Sequence, residues 1–495
     1  MDTLFHQRLD QLIQELQVEL HQAFDSQMAE PSLQGLWQME HLLWRLLMGL
    51  GSALVALYLD AWHHHHRAWI SRIQRTIQAR GYRLAGWRMT PITTLFGGKH
   101  LIATPYAVVN RRGRPGRRRK KGKRGPKGGG CFPVLEALGC REKATPALLS
   151  EVASQLTWGP SEAAAVERLQ ARGIPLDHQA VRRLSYALAD EGLQRRQQAL
   201  AHGQPAPGSD DLDLKGKRVV ITVDGGRLRT REPRKGRRQA NGHHGFDPVW
   251  RTPRLLVIYI IDEKGRLSQK ECPLYDGVLT SATQLFELLT NHLKALHIEK
   301  AKQIVFVADG EADHWDKLPA LWRQLGVTDE QVVEVLDWAH AVGRLTEAAE
   351  ACKGWSARQR QHWLHTQRHR LKHGQIDALI EELEALARGR RAQPLRKVIT
   401  YFQKHAHRMR YRLFRQAHIP LGSGAVESAL RRVVNLRMKG AGIFWLADHS
   451  KGMLFLRCQL LAGRWDRFIQ ALLWPATAEE TETGAEAPSD YAMVA

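Results

Sequence analysis

The chain has 495 residues, with 73 Lys and Arg against 50 Asp and Glu, a formal charge of +23 and an isoelectric point near 10.1. That length exceeds one ordinary core, so roughly two to four packed units are expected, and the charge draws in polyanions, nucleic acid first among them. The five cysteines include no Cys-x-x-Cys pair, which excludes a zinc ribbon or redox motif and fits a reducing cytosolic compartment.

Residues 1–88 are predicted to be a helical N-terminal domain, with apolar residues three and four apart in Leu9, Leu12, Ile13 and Leu16 and again through Leu42, Leu43, Leu46 and Leu47. Met1 to Leu20 is amphipathic and charged, so no secretion signal is expected. The stretch Leu46 to Leu59 falls short of the roughly 20 apolar residues that cross a bilayer and is read as a buried helix, with no membrane association. Four adjacent histidines, His63 to His66, point in different directions on a helix and cannot converge on one ion; a solvated or DNA-facing patch is expected.

Residues 89–140 read as strand followed by a basic linker. Between Asn110 and Gly130 the composition reduces to Arg, Lys, Gly and Pro. With no apolar side chain to bury and its charges repelling, this run cannot fold alone, but backbone phosphates could order it. Arg111, Arg112, Arg114, Arg117, Arg118, Arg119, Lys120, Lys121, Lys123 and Arg124 are therefore candidate DNA contacts, and its Gly-Arg-Pro and Arg-Gly-Pro pieces suit a narrow minor groove. Residues 141–202 give a helix-turn-helix outline in three short helical pieces: Ser161 caps one helix, Gly173 turns the chain, and Asp177 caps a second bearing Arg182 and Arg183. Gly203 to Asp211 is a linker.

Beyond it the period becomes extended. Strands are predicted over Arg218–Val223, Leu255–Ile261, Gln269–Leu274, Gln303–Ala308 and Val332–Leu336, with helices over Ala282–Leu296 and His314–Leu325. Three strands followed by alternating helix and strand predict a mixed sheet, an antiparallel meander completed by crossovers. Asp224 and Asp309 end apolar strands and precede glycine, the edge at which such sheets present ligand sites, whereas Asp262 belongs to an ordinary hairpin turn. Glu427 falls in the first turn of a helix that Ser423 is positioned to cap. Three carboxylates of this kind suit magnesium, two ions about 3.5 to 4 Å apart serving the attacking and departing oxygens of a phosphodiester.

The segments Val223-Asp-Gly-Gly-Arg227, Val307-Ala-Asp-Gly-Glu311 and Gly422-Ser-Gly-Ala-Val-Glu-Ser-Ala429 resemble the acidic motifs of DDE-type insertion-sequence transposases of the Mutator-like group, ISKra-type bacterial elements included. The resemblance covers about Arg218 to Arg467 and extends only loosely to the front half. It implies a multidomain α and α/β protein with a ribonuclease H-like mixed-sheet catalytic domain (215–345 and 417–470), interrupted by an all-helical insertion (346–416), ahead of an acidic tail (475–495) expected to be disordered. Glu347 to Gln416 reads as nearly continuous helix, broken near Gly374 and Gly389.

The resemblance further implies that Asp224, Asp309 and Glu427 hold two magnesium ions, for which manganese can stand in. Asp337 and His340, in Leu336-Asp-Trp-Ala-His340, match an Asp-x-x-His element beside the scissile phosphate. Partners would be double-stranded DNA, both terminal inverted repeats and target, with a homodimer or higher oligomer holding two ends in a nucleoid-associated, cytoplasmic setting. Arg227 and Arg229 in the basic loop Arg227 to Arg238, with Arg431, Arg432, Arg437 and Lys439 on the acidic helix, would grip the strands. The chain departs from the group in lacking an upstream cysteine-rich element, since Cys131 and Cys140 are unsuitably spaced for a structural zinc. Two other readings are a ribonuclease H-like nuclease without strand transfer and a non-catalytic DNA-binding protein.

Overall fold

The computed structural model describes residues 3–28, 33–79, 81–109, 130–234, 245–388 and 392–473. The chain divides into two compact units, Met1–Leu188 and Ala189–Ala495. The basic run Arg111 to Lys127 and the acidic tail lie outside the described residues, and so does Gly389.

In the first unit α1 (Thr3–Met28) packs on α2 (Leu33–His65), followed by α3 (Arg67–Ala79). The hairpin of β1 (Tyr82–Thr93) and β2 (Lys99–Val109) comes next, with β3 (Gly130–Cys131) beside β2. The helical region therefore ends before residue 88, because Tyr82 to Arg88 already pairs with β2. A small core of Leu59, Ile92, Ile102, Leu135 and Cys140 joins α2 to the hairpin and to α4 (Pro133–Ala137).

Two expectations change here. Helix α2 is longer than its apolar centre suggested, and Gly35–His65 is long and apolar enough to cross a membrane, with only 17% of its most apolar window buried. Leu36, Trp37, Leu47 and Tyr58 are exposed along it, so α2 is not the buried helix predicted. His63, in contrast, is not solvated: Nδ1 lies 2.7 Å from Leu59 O and Nε2 3.0 Å from Thr104 Oγ1. Burial holds its imidazole below the usual histidine range, while His64 to His66 are exposed.

Helices α5 (Pro146–Trp158), α6 (Glu162–Ala171) and α7 (His178–Ala201) follow. Ser161 caps α6 through Ala164 N, Asp177 accepts from Ala180 N at 2.7 Å, and Gly173 turns the chain at φ 82°, as the sequence predicts. The third piece is not short, however, since α7 runs for 24 residues.

The second unit is built on a five-stranded sheet. Its strands are β4 (Arg218–Gly225), β7 (Arg254–Ile261), β8 (Leu274–Val278), β9 (Gln303–Ala308) and β10 (Val332–Leu336), in spatial order β10-β9-β4-β7-β8. β4, β9 and β10 run parallel, while β7 is antiparallel to β4 and to β8. Val219, Val220 and Ile221 of β4 are wholly buried, which is why this strand reads as a continuous apolar run rather than an alternating one. β8 begins at Leu274, where the predicted strand ended, because Leu274 and Tyr275 are the residues this edge buries.

A ribbon pairs β5 (Leu228–Pro233) with β6 (Phe246–Arg251); β5 takes up the front of the predicted basic loop, and residues 235–238 of that loop lie outside the described residues. Helix α8 (Ala282–Ala295) links β8 to β9. The helix expected over His314–Leu325 is two, α9 (Ala312–Trp315) and α10 (Leu318–Leu325), divided where Pro319 opens the second.

After β10 come α11 (Trp338–Ala351), α12 (Ala357–Lys372), α13 (Ile376–Leu386), α14 (Gln393–His405) and α15 (Tyr411–Gln416). The insertion is helical as predicted and breaks at Gly374, φ 76°. It also breaks at Cys352 to Ser356, where Ser356 and Gln359 form a capping box for α12. α16 (Gly424–Leu430) packs on β4 and β7 and continues into a π-helical turn, Arg431–Asn435, before α17 (Ala447–Leu461) and α18 (Trp465–Leu473).

Candidate active site

Three parallel strands end at one edge of the sheet, and each delivers an aspartate there. Asp224 lies at the end of β4, Asp309 follows β9, and Asp337 follows β10. The Asp262 turn joins the sheet at the opposite edge, since Ile261 pairs with Arg218 at the start of β4. Asp262 accepts from the backbone of Lys264 and Arg266, as a hairpin residue should. Because α16 lies against β4 and β7, Glu427 in its first turn reaches the aspartate edge. Asp224, Asp309, Glu427 and His340 line one open cleft of about 710 Å³ together with Arg344 and with Tyr401 of α14.

The electrostatics follow from that convergence. Burial pushes the Asp224 carboxyl up, and the neighbouring charges of Asp309 and Glu427 add to it against a 2.7 Å hydrogen bond from Gly225 N–H. At Asp309 burial acts the same way, but the His314 imidazole and the Glu311 N–H outweigh it and hold the carboxyl below the usual range. His314 Nδ1 is 3.2 Å from Asp309 Oδ1, wholly buried, and makes no aligned hydrogen bond. Glu311 is held in turn by Arg254, with Nη1 3.1 Å from Oε2.

Asp337 and His340 are fixed by several hydrogen bonds. Asp337 Oδ1 accepts from His340 N at 2.8 Å and faces His340 Nδ1 at 3.0 Å. Burial raises the Asp337 carboxyl, but the bonds from His340 and Ser423 more than offset it and bring it down to about 2. The hydrogen bond to Asp337 in turn raises the His340 pKa, burial lowers it, and the charges of Asp337, Asp309 and Asp224 reinforce the rise. Asp337 thus starts a helix and also orients an imidazole that lines the cleft.

Ser423 does not cap α16. Its hydroxyl lies 2.8 Å from Asp337 Oδ2 and 2.9 Å from Glu427 Oε1, and its single hydrogen serves only one of them at a time. Asp337 has further donors in the Ser423 N–H and in His340, so it is Glu427 that keeps hard oxygen acceptors to offer a divalent cation. The tightest groupings are Asp337, His340 and Glu427, and Asp309, Glu311 and His314, whose ligand atoms lie within 4.8 Å of one another. Asp224 belongs to neither: it shares the cleft with Asp309 and Glu427 while its Oδ1 is engaged with its own Gly225.

The expected strand-gripping residues divide. Arg227 and Arg431 are exposed. Arg229 donates to Gly440 O and lies 4.6 Å over the Phe444 ring, and Arg432 donates to Tyr275 Oη at 2.9 Å. Arg437 is buried beside Trp445 and so serves the fold rather than the surface, while Lys439 is exposed. In the first unit Arg182 and Arg183 are engaged with Glu162 and Glu142, which lowers their availability to phosphate.

Glu311, His314, Arg344 and Tyr401 were not singled out from the sequence. Glu311 and His314 lie two and five residues beyond Asp309 and could have been suspected from the acidic and imidazole spacing in Asp309-Gly-Glu-Ala-Asp-His314. Tyr401 carries no local signal. No protein-family model, curated protein or solved structure matches the chain.

Proposed function

We propose that this chain is a DNA transposase that binds the ends of an insertion sequence, cleaves phosphodiesters there and joins the freed 3′ ends to target DNA. The observation that carries the reading is the convergence of Asp224, Asp309 and Glu427, from two parallel strands and a crossing helix, on one open cleft. The sheet order β10-β9-β4-β7-β8, a meander extended by two parallel strands, supports a ribonuclease H-like catalytic domain. The capped pair α6 and α7 supports a helix-turn-helix, and the net charge of +23 supports a nucleic-acid partner.

Asp224, Asp309 and Glu427 would hold two magnesium ions, with manganese as a substitute. When bound, such ions supply Lewis-acid activation of the attacking oxygen and neutralise charge at the phosphate. The protein's own part is positioning. Asp337 fixes the His340 ring through Nδ1, leaving Nε2 to donate to a phosphate oxygen, and the raised pKa favours the protonated, donating form. Arg344, whose guanidinium is held by Glu347 and lies 5.1 Å over the Tyr401 ring, places a further cation on the cleft wall.

The deciding experiment incubates the full chain with magnesium, labelled DNA from the sequences flanking its coding region, and a target plasmid. Joined products support the transposase. Cleavage without joining replaces it with a nuclease, and binding without cleavage replaces it with a non-catalytic DNA-binding protein.

A further inference from the structure

A second cleft, of about 550 Å³, adjoins the first and shares Ala339 and Glu427 with it. One wall is Trp338 with the segment Leu421 to Gly424, and the helical insertion supplies Lys372 and Arg415. We propose that this cleft binds the backbone phosphates of the DNA strand on one side of the scissile position, with Lys372 and Arg415 as the cations that hold them.

Both cations line the cleft without a counter-charge among the described residues. Several cations near the site are paired, Arg344 with Glu347, Arg370 with Glu382 and Arg408 with Glu334. Lys372 and Arg415 are exposed, and among the described residues neither is within ion-pairing distance of a carboxylate. Helix α12, which ends in Lys372, contains no acidic residue in ARQRQHWLHTQRHRLK, and it packs against α15, which carries Arg415. A cation in a last helical turn complements the helix dipole. That accounts for either residue alone but not for both lining one cleft beside the carboxylates.

On the facing wall the acidic groups are Glu427, which is exposed and shared with the first cleft, and Asp337. Asp337 is 1% exposed, with its oxygens already bonded to Ser423 and His340. Trp338 N donates to Leu421 O at 2.9 Å, which fixes this wall to the helix bearing His340. At Gly424, the first residue of α16, an added Cβ would meet nothing within 4 Å, so the start of the helix leaves its backbone open at the cleft.

Duplex DNA presents a phosphate about every 3.4 Å of axis on each strand, so a strand with one phosphate among the carboxylates brings others into the adjoining space. This inference rests on the transposase reading for its direction, but its test does not use cleavage. The full chain, free of divalent metal, is titrated with a short fluorescent duplex between about 50 and 200 mM salt, and log affinity is plotted against log salt. Each phosphate that is no longer neutralised flattens the slope by about 0.9, so K372A/R415A should flatten it by about 1.8. K372R/R415K should restore the wild-type slope.

K264A/K270A removes the same charge from the region around the Asp262 turn, and its slope should stay at the wild-type value. An unchanged slope in K372A/R415A, or equal flattening in K264A/K270A, overturns the inference. Metal-dependent cleavage by wild-type protein, assayed separately, shows whether the catalytic reading stands when the cleft assignment falls.

Discussion

Asp337 Oδ2 accepts hydrogen bonds from both the backbone N–H and the hydroxyl of Ser423, at 2.6 and 2.8 Å, across 86 residues of chain. This contact ties the end of β10 to the start of α16 and so sets where Glu427 stands relative to the aspartates. A cap alone would tolerate Asn with little loss. Here the amide must turn an NH2 toward His340 or toward Ser423, and a hydrogen bond to a charged group is worth about 1.5 to 3 kcal/mol. Asp337→Asn should therefore lower unfolding free energy by about 2 kcal/mol in urea titration; a loss below about 0.5 kcal/mol would return Asp337 to the role of a simple cap.

Asp337 and His340 give two pH windows. Asp337, depressed to about 2, contributes stability that is fully present above its ordinary value of 3.8 and is lost as pH falls through about 2. His340, raised from 6.5, contributes stability fully present below pH 6.5 and lost as pH rises through its folded value. In metal-free protein the stability difference between wild type and His340→Gln should shrink above pH 6.5. A difference that is flat from pH 5 to 9 contradicts the pairing.

Asp224 should show a trade between function and stability. Because burial and the charges of Asp309 and Glu427 raise its pKa, its ionised form is a cost to the fold at neutral pH. Asp224→Asn is expected to raise the metal-free melting temperature and to abolish cleavage and joining. It should also remove most of the thermal shift that manganese gives wild type, since a ligand stabilises only the state that binds it. Asp309→Asn and Glu427→Gln should likewise abolish cleavage and joining while DNA binding stays within a few fold. Near-normal joining by any one of the three removes that residue from the catalytic set.

At Gly310 an added Cβ would lie 2.1 Å from the Tyr401 ring, so either the ring or α14 would have to shift. Gly310→Ala should cost about 1 to 3 kcal/mol and slow cleavage by displacing Tyr401 and, with it, Arg344. Combining it with Tyr401→Ala should recover stability, giving a non-additive cycle. Simple additivity would show that the two residues do not press on each other.

His63 offers a test in the first unit. Buried and held below 6.5, it is neutral in the folded state, so the unfolded chain takes up more protons as pH falls. The stability it contributes is present above pH 6.5 and is lost as pH falls below that value toward its folded pKa. Hydrogen exchange of the β1–β2 hairpin should quicken over that range in wild type and less so in His63→Gln.

The sequence by itself determined four of the five strands of the sheet, β8 excepted, and the acids at the ends of β4, β9 and β10. β9 and β10 fall where their β-branched runs place them, and β4 and β7 differ only at their ends, because buried parallel and central strands must be apolar throughout. Asp224 and Asp309 stood out as charges terminating such runs. The β5–β6 ribbon was not legible: each strand carries a proline, Pro233 and Pro248, and few β-branched residues, and it is held by Arg231 N donating to Trp445 O and by Phe246 packed 5.2 Å from Phe444, partners some 200 residues distant. The second bond network of Asp337, the burial of His63 against Thr104, and the arrival of Tyr401, Lys372 and Arg415 beside Glu427 were equally beyond local pattern. Each depends on which distant side chain the fold brings within about 3 to 4 Å, the range over which hydrogen bonds and contacts act, and periodicity encodes only a residue's own face.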